Sequence, residues 1–323
     1  MAEPSVPVVA ILGASGFVGS AVAAALRPHA RIVPVAAPRL RSDATTPAAV
    51  LAQARSHPET ERLAGALAGC DAFVNAAGIA DAAGADREAL AGANALLACM
   101  AAVACRDAGV TRVVHVSSAA VQGDRTLDES EDMAPFSQYS WSKALGERAV
   151  AHASDGGAIR YRPTSVHGAD RPMTRRLARL ARSPWAVVAA PGTQPTPQVL
   201  AGNVGDAVRF LVLADQSPPG VVLHPWEGIT TSRLLTVLGG REPRMVPLGL
   251  ARATLGLGNA GGRLWRRARI DARRAELLML GQVQGTSWLT LAGWVPPVGP
   301  AGWVTLGRQL AADLDAEAAE HGR

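Results

Sequence analysis

Apolar and polar positions fall in alternating blocks along this chain. Val6 to Leu12 is a continuous apolar run closed by a glycine-rich turn, which predicts a buried strand and then a helix through about Leu26. Arg31 to Val35 predicts a second strand, Pro38 to Pro47 a loop, and Ala49 to Leu67 a mostly helical stretch. Asp71 to Asn75 reads as a strand, Arg87 to Asp107 as a long helix, and Arg112 to Val116 as a strand ending at Ser117-Ser118. A helix from about Tyr139 to His152 and a strand from Ile159 to Arg162 follow. Strands alternating with helices predict an α/β fold built on a doubly wound parallel sheet. After Gly168 the rhythm breaks, proline, glycine and tryptophan become frequent, and a smaller C-terminal lobe is expected. The expected division is a first domain over 1–168, rejoined by 200–225, and a lobe over 169–199 and 226–323. Asp313 to Arg323 reads as a fraying helix and tail.

The 323 residues are 48% apolar, enough for a sizeable core, and carry a net charge of +5. The arginines are spread along the whole chain without aromatic interleaving, so no nucleic-acid partner is expected. Cys70, Cys99 and Cys105 form an odd set without Cys-x-x-Cys spacing, which suits free thiols in a reducing compartment. The first residues lack a basic segment before their apolar run, so no signal peptide is expected and a cytoplasmic location is. Ala89 to Cys105 is alanine-rich and slightly short for a bilayer, which predicts a buried helix. No His/Cys/Asp/Glu cluster has metal-ligand spacing, and no metal is expected.

Against this arginine-rich background stands one lysine, Lys143, four residues after Tyr139, one of two tyrosines. On a helix that spacing puts phenol and ammonium on one face. A neighbouring ammonium favours the phenolate, which makes Tyr139 a candidate general acid/base. Arginine and lysine differ in geometry and in how readily the pKa moves, so a retained lysine points to chemistry.

Gly13-Ala14-Ser15-Gly16-Phe17-Val18-Gly19 joins the first strand to its helix. Glycines there permit a tight turn and let backbone approach a pyrophosphate at a helix N-terminus. Gly13, Ser15, Gly16, Phe17, Val18 and Gly19 are therefore candidate dinucleotide contacts, and the sheet is expected to be of Rossmann type. The second strand ends without the acid that binds a ribose 2′-hydroxyl. Arg39 and Arg41 stand there instead, which favours NADP, with NAD the alternative. Ala76, Ala77 and Gly78, then Ser117 and Ser118, then Pro163 and Thr164 follow successive strands and face the same crevice. Ser118 can hydrogen-bond a substrate oxygen near Tyr139.

These segments together resemble an extended short-chain dehydrogenase/reductase of the NAD-dependent epimerase/dehydratase type, over roughly residues 6 to 310. The marks are GASGFVG (13–19), CDAFVNAAG (70–78), VVHVSSAAVQG (113–123), YSWSKALGE (139–147), RPTSVHG (162–168) and AGWVPP (292–297). The resemblance implies a Ser118–Tyr139–Lys143 triad and Asn94 as the helix asparagine supporting the active-site wall. It implies Pro163 and Thr164 beside the nicotinamide, and a homodimer through the helices Arg87–Asp107 and Tyr139–His152. Within the family the chain is similar to bacterial sugar 4-epimerases and 4-ketoreductases, which implies a nucleotide- or lipid-diphosphate-linked sugar as substrate and a substrate-binding C-terminal lobe. Arg175, Arg176 and Arg263 are candidates for its diphosphate, and a lipid carrier would bring peripheral membrane contact. A catalytically silent cofactor sensor or scaffold is the alternative. The family's third strand, ending in Asp-Leu or Asp-Ile, has no counterpart between Ser42 and Glu61. Gln122 and His167 stand where tyrosine is usual, which bears on the pocket rim, and His115 inside its strand reads as structural.

Overall fold

The structure is a computed structural model that describes residues 6–80, 86–262 and 266–321, with the side chains of 257–272 and 321 left aside. In chain order the elements begin β1 (Val8–Leu12), α1 (Phe17–Leu26), β2 (Arg31–Val35), α2 (Pro47–Ser56), α3 (Pro58–Leu67), β3 (Ala72–Asn75), α4 (Arg87–Asp107), β4 (Arg112–Val116), α5 (Gln138–Ala153) and β5 (Ile159–Arg162). They continue β6 (Ser165–His167), α6 (Pro172–Arg182), β7 (Val187–Ala189), β8 (Gln198–Leu200), α7 (Ala201–Leu213), β9 (Val221–Leu223), α8 (Thr231–Gly239) and β10 (Arg244–Val246). The last are α9 (Leu248–Gly262), α10 (Arg266–Leu280), α11 (Trp288–Leu291) and α12 (Pro300–His321).

The chain divides into two compact units, the first comprising Met1–Thr164, Ala201–Pro225 and Thr286–Val295. Its six-stranded sheet has the order β2-β1-β3-β4-β5-β9, all parallel. Leu12 pairs with both Val35 and Asn75, and Asn75 pairs with His115, so these strands end in line at one carboxyl edge. The strands are apolar throughout because helices cover the sheet; Val9, Ala10, Ile11 and Leu12 are fully buried. Trp294 of the late AGWVPP segment donates its indole N–H to Asp206 at 2.9 Å, which ties that segment to α7.

No strand lies between residues 42 and 61 among the described residues. The chain instead leaves β2 over the outside of α4. The amide of Ser42 donates to the Glu88 carbonyl at 3.0 Å, and a Cβ on Gly92 would lie 2.1 Å from the Leu40 carbonyl oxygen. The stretch expected as one helix over 49–67 is two. Pro58 excludes helical backbone from the residue before it, and His57 is extended at φ −83° and ψ 127°. α2 then packs against both α4 and α5: Val50 and Ala54 are fully buried in one cluster with Leu97, Met100, Leu145, Ala149 and Val150.

α4 is longer than its apolar stretch alone implies. Its 21 residues pass for a membrane span by length and composition, yet 83% of its most apolar window is buried within the chain. A π-helical turn, Gly92–Leu96, interrupts it.

The second unit comprises Ser165–Leu200, Trp226–Gly285 and Pro296–Arg323. It holds two parallel strand pairs, β6 with β8 and β7 with β10. Its core joins α6, α8 and α12 through Leu177, Ala181, Leu234, Leu238, Trp303 and Leu310. The fraying expected over Asp313 to Arg323 is not seen as far as His321, and residues 322–323 lie outside the described residues. α12 runs to His321, where Asp313, Asp315 and Glu317 meet Arg175, Arg179 and Arg182 of α6.

Candidate active site

The glycine turn is shaped by contacts that exclude side chains. Gly13 has φ +83°, and a Cβ there would lie 2.9 Å from the Ala77 amide nitrogen. A Cβ on Gly19 would lie 2.0 Å from the Gly13 carbonyl oxygen, so α1 seats directly on the turn. Gly16, whose amide donates to that carbonyl at 3.0 Å, is the N-cap of α1 and supplies no capping side chain. With no capping side chain and no acid in its first turn, the start of α1 suits a pyrophosphate. Ser15 and Gly16 are exposed, and Phe17 and Val18 are half-buried.

Asn94 comes from the π-helical turn of α4. Its Oδ1 accepts from the Ile79 amide at 3.0 Å, and its Nδ2 donates to the Ile79 carbonyl at 3.1 Å and to Ser142 Oγ at 2.9 Å. Ser142 Oγ in turn donates to the Tyr139 carbonyl at 2.8 Å. One amide therefore clamps the chain beyond β3 and, through Ser142, the first turn of α5. That turn is fixed by a capping box, in which Ser137 Oγ accepts from the Ser140 amide at 3.1 Å and Ser140 Oγ from the Ser137 amide at 2.9 Å.

Lys143 lies one turn beyond Tyr139 and is buried. Its Nζ donates to the Val116 carbonyl, at the end of β4, at 3.2 Å. A Cβ on Gly78 would lie 3.3 Å from the same Nζ and 2.5 Å from Asn94 Oδ1, so Gly78, Asn94 and Lys143 share one small space. Burial lowers the Lys143 pKa to about 8, opposed by the carboxylate of Glu147. Glu147 itself is fully buried against Arg162 at 2.8 Å. Ser118, two residues past Val116, is half-buried and accepts from the Ala120 amide at 3.2 Å. Tyr139 is half-buried.

Two hydroxyls at the strand ends, Ser117 Oγ and Thr164 Oγ1, are buried without a hydrogen-bond partner. Such groups are costly unless something binds them. Together with the glycine cradle, they could hold a dinucleotide along the carboxyl edge. His115 below is buried, and Asn75 Nδ2 donates to its Nδ1 at 3.2 Å, since Asn75 Oδ1 accepts from the Ala77 amide. Burial, reinforced by Lys143, pushes the His115 pKa well down.

Elsewhere the expected residues separate. Arg39 is exposed, and Arg41 pairs with Asp86 at 2.9 Å and Glu88 at 2.8 Å. In the second unit Arg175 is held by Asp313 and Glu317, Arg176 is exposed, and Arg263 lies outside the described residues. Gln122 and His167 are interior rather than rim residues. Gln122 donates to Asp128 at 2.7 Å, and His167 sits between Thr174 and Gln198 at 3.0 and 2.6 Å. Ser142 and the Ser137/Ser140 cap were overlooked in the sequence; the Ser-x-x-Ser spacing of Ser137 and Ser140, which overlaps the start of YSWSK, was the signal of the cap.

The fold and the cluster around Lys143 define the class of dinucleotide-dependent oxidoreductases and epimerases. The chain belongs to the NAD dependent epimerase/dehydratase family, whose model matches residues 9–216. It is 31% identical over 245 residues to a 4-hydroxy-2-methyl-3-oxo-4-farnesyl-3,4-dihydroquinoline-1-oxide ketoreductase of Stigmatella aurantiaca, covering 69% of this chain and 71% of that protein. Its fold is similar to that of MoeE5 in complex with UDP-glucose and NAD (TM-score 0.62, 20% identity, 95% of this chain and 99% of the other). It is also similar to dTDP-4-dehydrorhamnose reductase of Bacillus anthracis in complex with NADP (TM-score 0.57, 20% identity, 77% and 87%). The cofactor of the chain is a nicotinamide dinucleotide.

Proposed function

We propose that the chain is an NADP(H)-dependent oxidoreductase that interconverts a ketone and a secondary alcohol, with reduction the working direction. The observation that carries this reading is the buried ammonium of Lys143, anchored to Val116 and packed beside Gly78 and Asn94, one turn from Tyr139. When bound, the reduced nicotinamide supplies a hydride to the carbonyl carbon. Tyr139 Oη donates the proton that the carbonyl oxygen takes up, and the Lys143 ammonium stabilises the phenolate left behind. One Nζ hydrogen is given to Val116, and the remaining two are free to hold the nicotinamide ribose hydroxyls. Ser118 Oγ positions the substrate oxygen. Asn94 acts through Ser142 and Ile79 and is a positioning residue.

Relatives support a reading of the substrate class. MoeE5 binds UDP-glucose, which favours a nucleotide-linked keto-sugar; the Stigmatella relative reduces a ketone on a farnesylated heterocycle. The pairing of Arg175 with α12 argues against that residue as a diphosphate ligand, so the ketone matters more than its carrier. Epimerisation by the same residues would need no added cofactor.

The test is turnover of purified protein with NADPH and a panel of keto-sugar nucleotides and cyclic ketones. Oxidation of NADPH is expected with a ketone. Tyr139→Phe is expected to lower kcat by about 10²–10⁴ while leaving NADPH binding intact. Undiminished turnover in that variant rejects the assignment.

A further inference from the structure

The path of the chain beyond β2 decides which cations reach the place where such folds bind the adenosine ribose. Arg41, the obvious candidate by sequence, is turned to Asp86 and Glu88 on the start of α4. Asp43, the first acid after β2, accepts from Gln53 Nε2 at 3.0 Å. A different arginine arrives instead. Arg62 of α3 donates Nη2 to the carbonyl of Ala36, the first residue beyond β2, at 3.4 Å. Its Nε meets Glu59 at 2.5 Å, and its side chain is 47% exposed. No strand lies between β2 and α2 among the described residues, and Arg62 reaches the strand end directly.

We propose that Arg62 reads the adenosine ribose, binding a 2′-phosphate and so selecting NADP over NAD. The proposal rests on the NADP reading above and supplies its residue. A guanidinium matches a phosphate through paired N–H donors. Its present partner is a half-buried carboxylate three residues away on the same helix, a surface contact that a doubly charged phosphate displaces. Arg39, exposed at the same strand end, adds long-range attraction. Glu59 and Glu61 are the opposing charges; Glu59 is the nearer and weakens phosphate binding without abolishing it.

The experiment is titration of the apoprotein with NADPH and with NADH, read by calorimetry, on wild type, Arg62→Ala, Glu59→Gln and Arg41→Ala. Wild type is expected to bind NADPH more tightly. Arg62→Ala should weaken NADPH binding about tenfold or more and leave NADH within about twofold. Glu59→Gln should tighten NADPH slightly, and Arg41→Ala should change neither. Wild type that binds NADH as tightly as NADPH overturns the NADP reading itself. Wild type that prefers NADPH, with the preference intact in a folded Arg62→Ala protein, overturns the role of Arg62 alone.

A separate observation concerns assembly. The helix pair that the family resemblance reserves for a second copy is already covered. All residues from Leu97 to Cys105 in α4 are at most 3% exposed in the single chain, with Val50 and Ala54 of α2 fully buried in the same cluster. On α5, only Arg148 and His152 are well exposed beyond its first turn. We infer that α2 takes the place of the partner and that this helix pair is not a subunit interface. Light scattering and hydrogen exchange over a dilution series test it. A monomer supports the inference, as does a dimer whose concentration-dependent protection lies outside 87–107 and 138–153. Protection that appears within those helices as a dimer forms overturns it.

Discussion

Around Lys143, each polar group is held from behind by another. Nζ rests on Val116, Asn94 spans Ile79 and Ser142, and Ser142 holds the Tyr139 carbonyl. At the end of β2 the groups are exposed arginines with carboxylate neighbours, and a loop replaces a strand. In the function proposed above, the first region serves the nicotinamide and the second the adenosine. Proton transfer demands fixed positions within a few tenths of an ångström, which buried hydrogen bonds supply. Recognition of a phosphate charge tolerates a mobile guanidinium, so that region has room to differ from its relatives. Substitutions in the first should therefore act on rate and fold, and in the second on cofactor affinity or on weak surface ion pairs, with the rate untouched.

The sharpest division comes from Lys143→Met. Its kcat should fall by about 10²–10⁴, yet the protein should become more stable at neutral pH. The folded pKa is about 8 against 10.5 for a free lysine, so between these values the unfolded chain binds more protons and stability rises with pH. Below pH 8 the full cost of burying the ammonium is present, on the order of 3–4 kcal/mol. The variant should gain about that much at pH 7 and nothing near pH 11, measured by denaturant unfolding. A wild-type stability that is flat from pH 8 to 10.5 contradicts this account. Activity of the wild type in the reductive direction should likewise decline above about pH 8, as the ammonium is lost.

Gly13→Ala is expected to follow. The new Cβ would meet Ala77 backbone at 2.9 Å on a residue with φ +83°, for a cost of about 1–3 kcal/mol. NADPH and NADH binding should both weaken by similar factors, because the pyrophosphate turn serves both. A selective loss of NADPH would move the phosphate recognition from Arg62 to the glycine turn.

Asn94→Ala should cost about 1–3 kcal/mol by leaving the Ile79 amide and carbonyl unpaired. Its kcat should drop while the NADPH Kd changes little, since the amide is engaged by Ile79 and Ser142. A rise in KM with kcat preserved would place Asn94 in substrate binding instead.

What was legible in the sequence follows the same line. Lys143, Tyr139, the glycine turn and the strands that end in one row are encoded by contiguous residues, and local periodicity and spacing expose them. Strand β4 and strand β5 have the bounds read from their apolar runs. The break at His57 was also local, since Pro58 marks it, but the helical composition on both sides hid it. Arg62 was not legible. It reaches Ala36 from 26 positions away, across a loop whose path depends on the contact between Leu40 and Gly92. The α12 tail was misread for a similar reason: its acids look solvated in sequence and become ordered only against the arginines of α6. Long-range ion pairs leave no periodic trace in a single chain.

Arg41→Ala is the smallest effect and tests the adenosine side most directly. Sequence position makes Arg41 as good a phosphate ligand as any, whereas the structure gives it to Asp86 and Glu88, with side chains of all three more than half exposed. Exposed pairs of this kind contribute little and are screened by salt. The variant should bind NADPH as wild type does, and its slight loss of stability should vanish at high ionic strength. The sign with pH is set by Asp86, whose pKa is lowered first by the Ala89 amide and then by Arg41. The contribution is present above the ordinary carboxylate range and disappears as acid protonates Asp86, so wild type and variant should converge at low pH. A large drop in NADPH affinity in Arg41→Ala would mean that the guanidinium leaves its carboxylates for the cofactor. That result would return the phosphate site to the loop after β2 and remove the distinction between a fixed end and a permissive one.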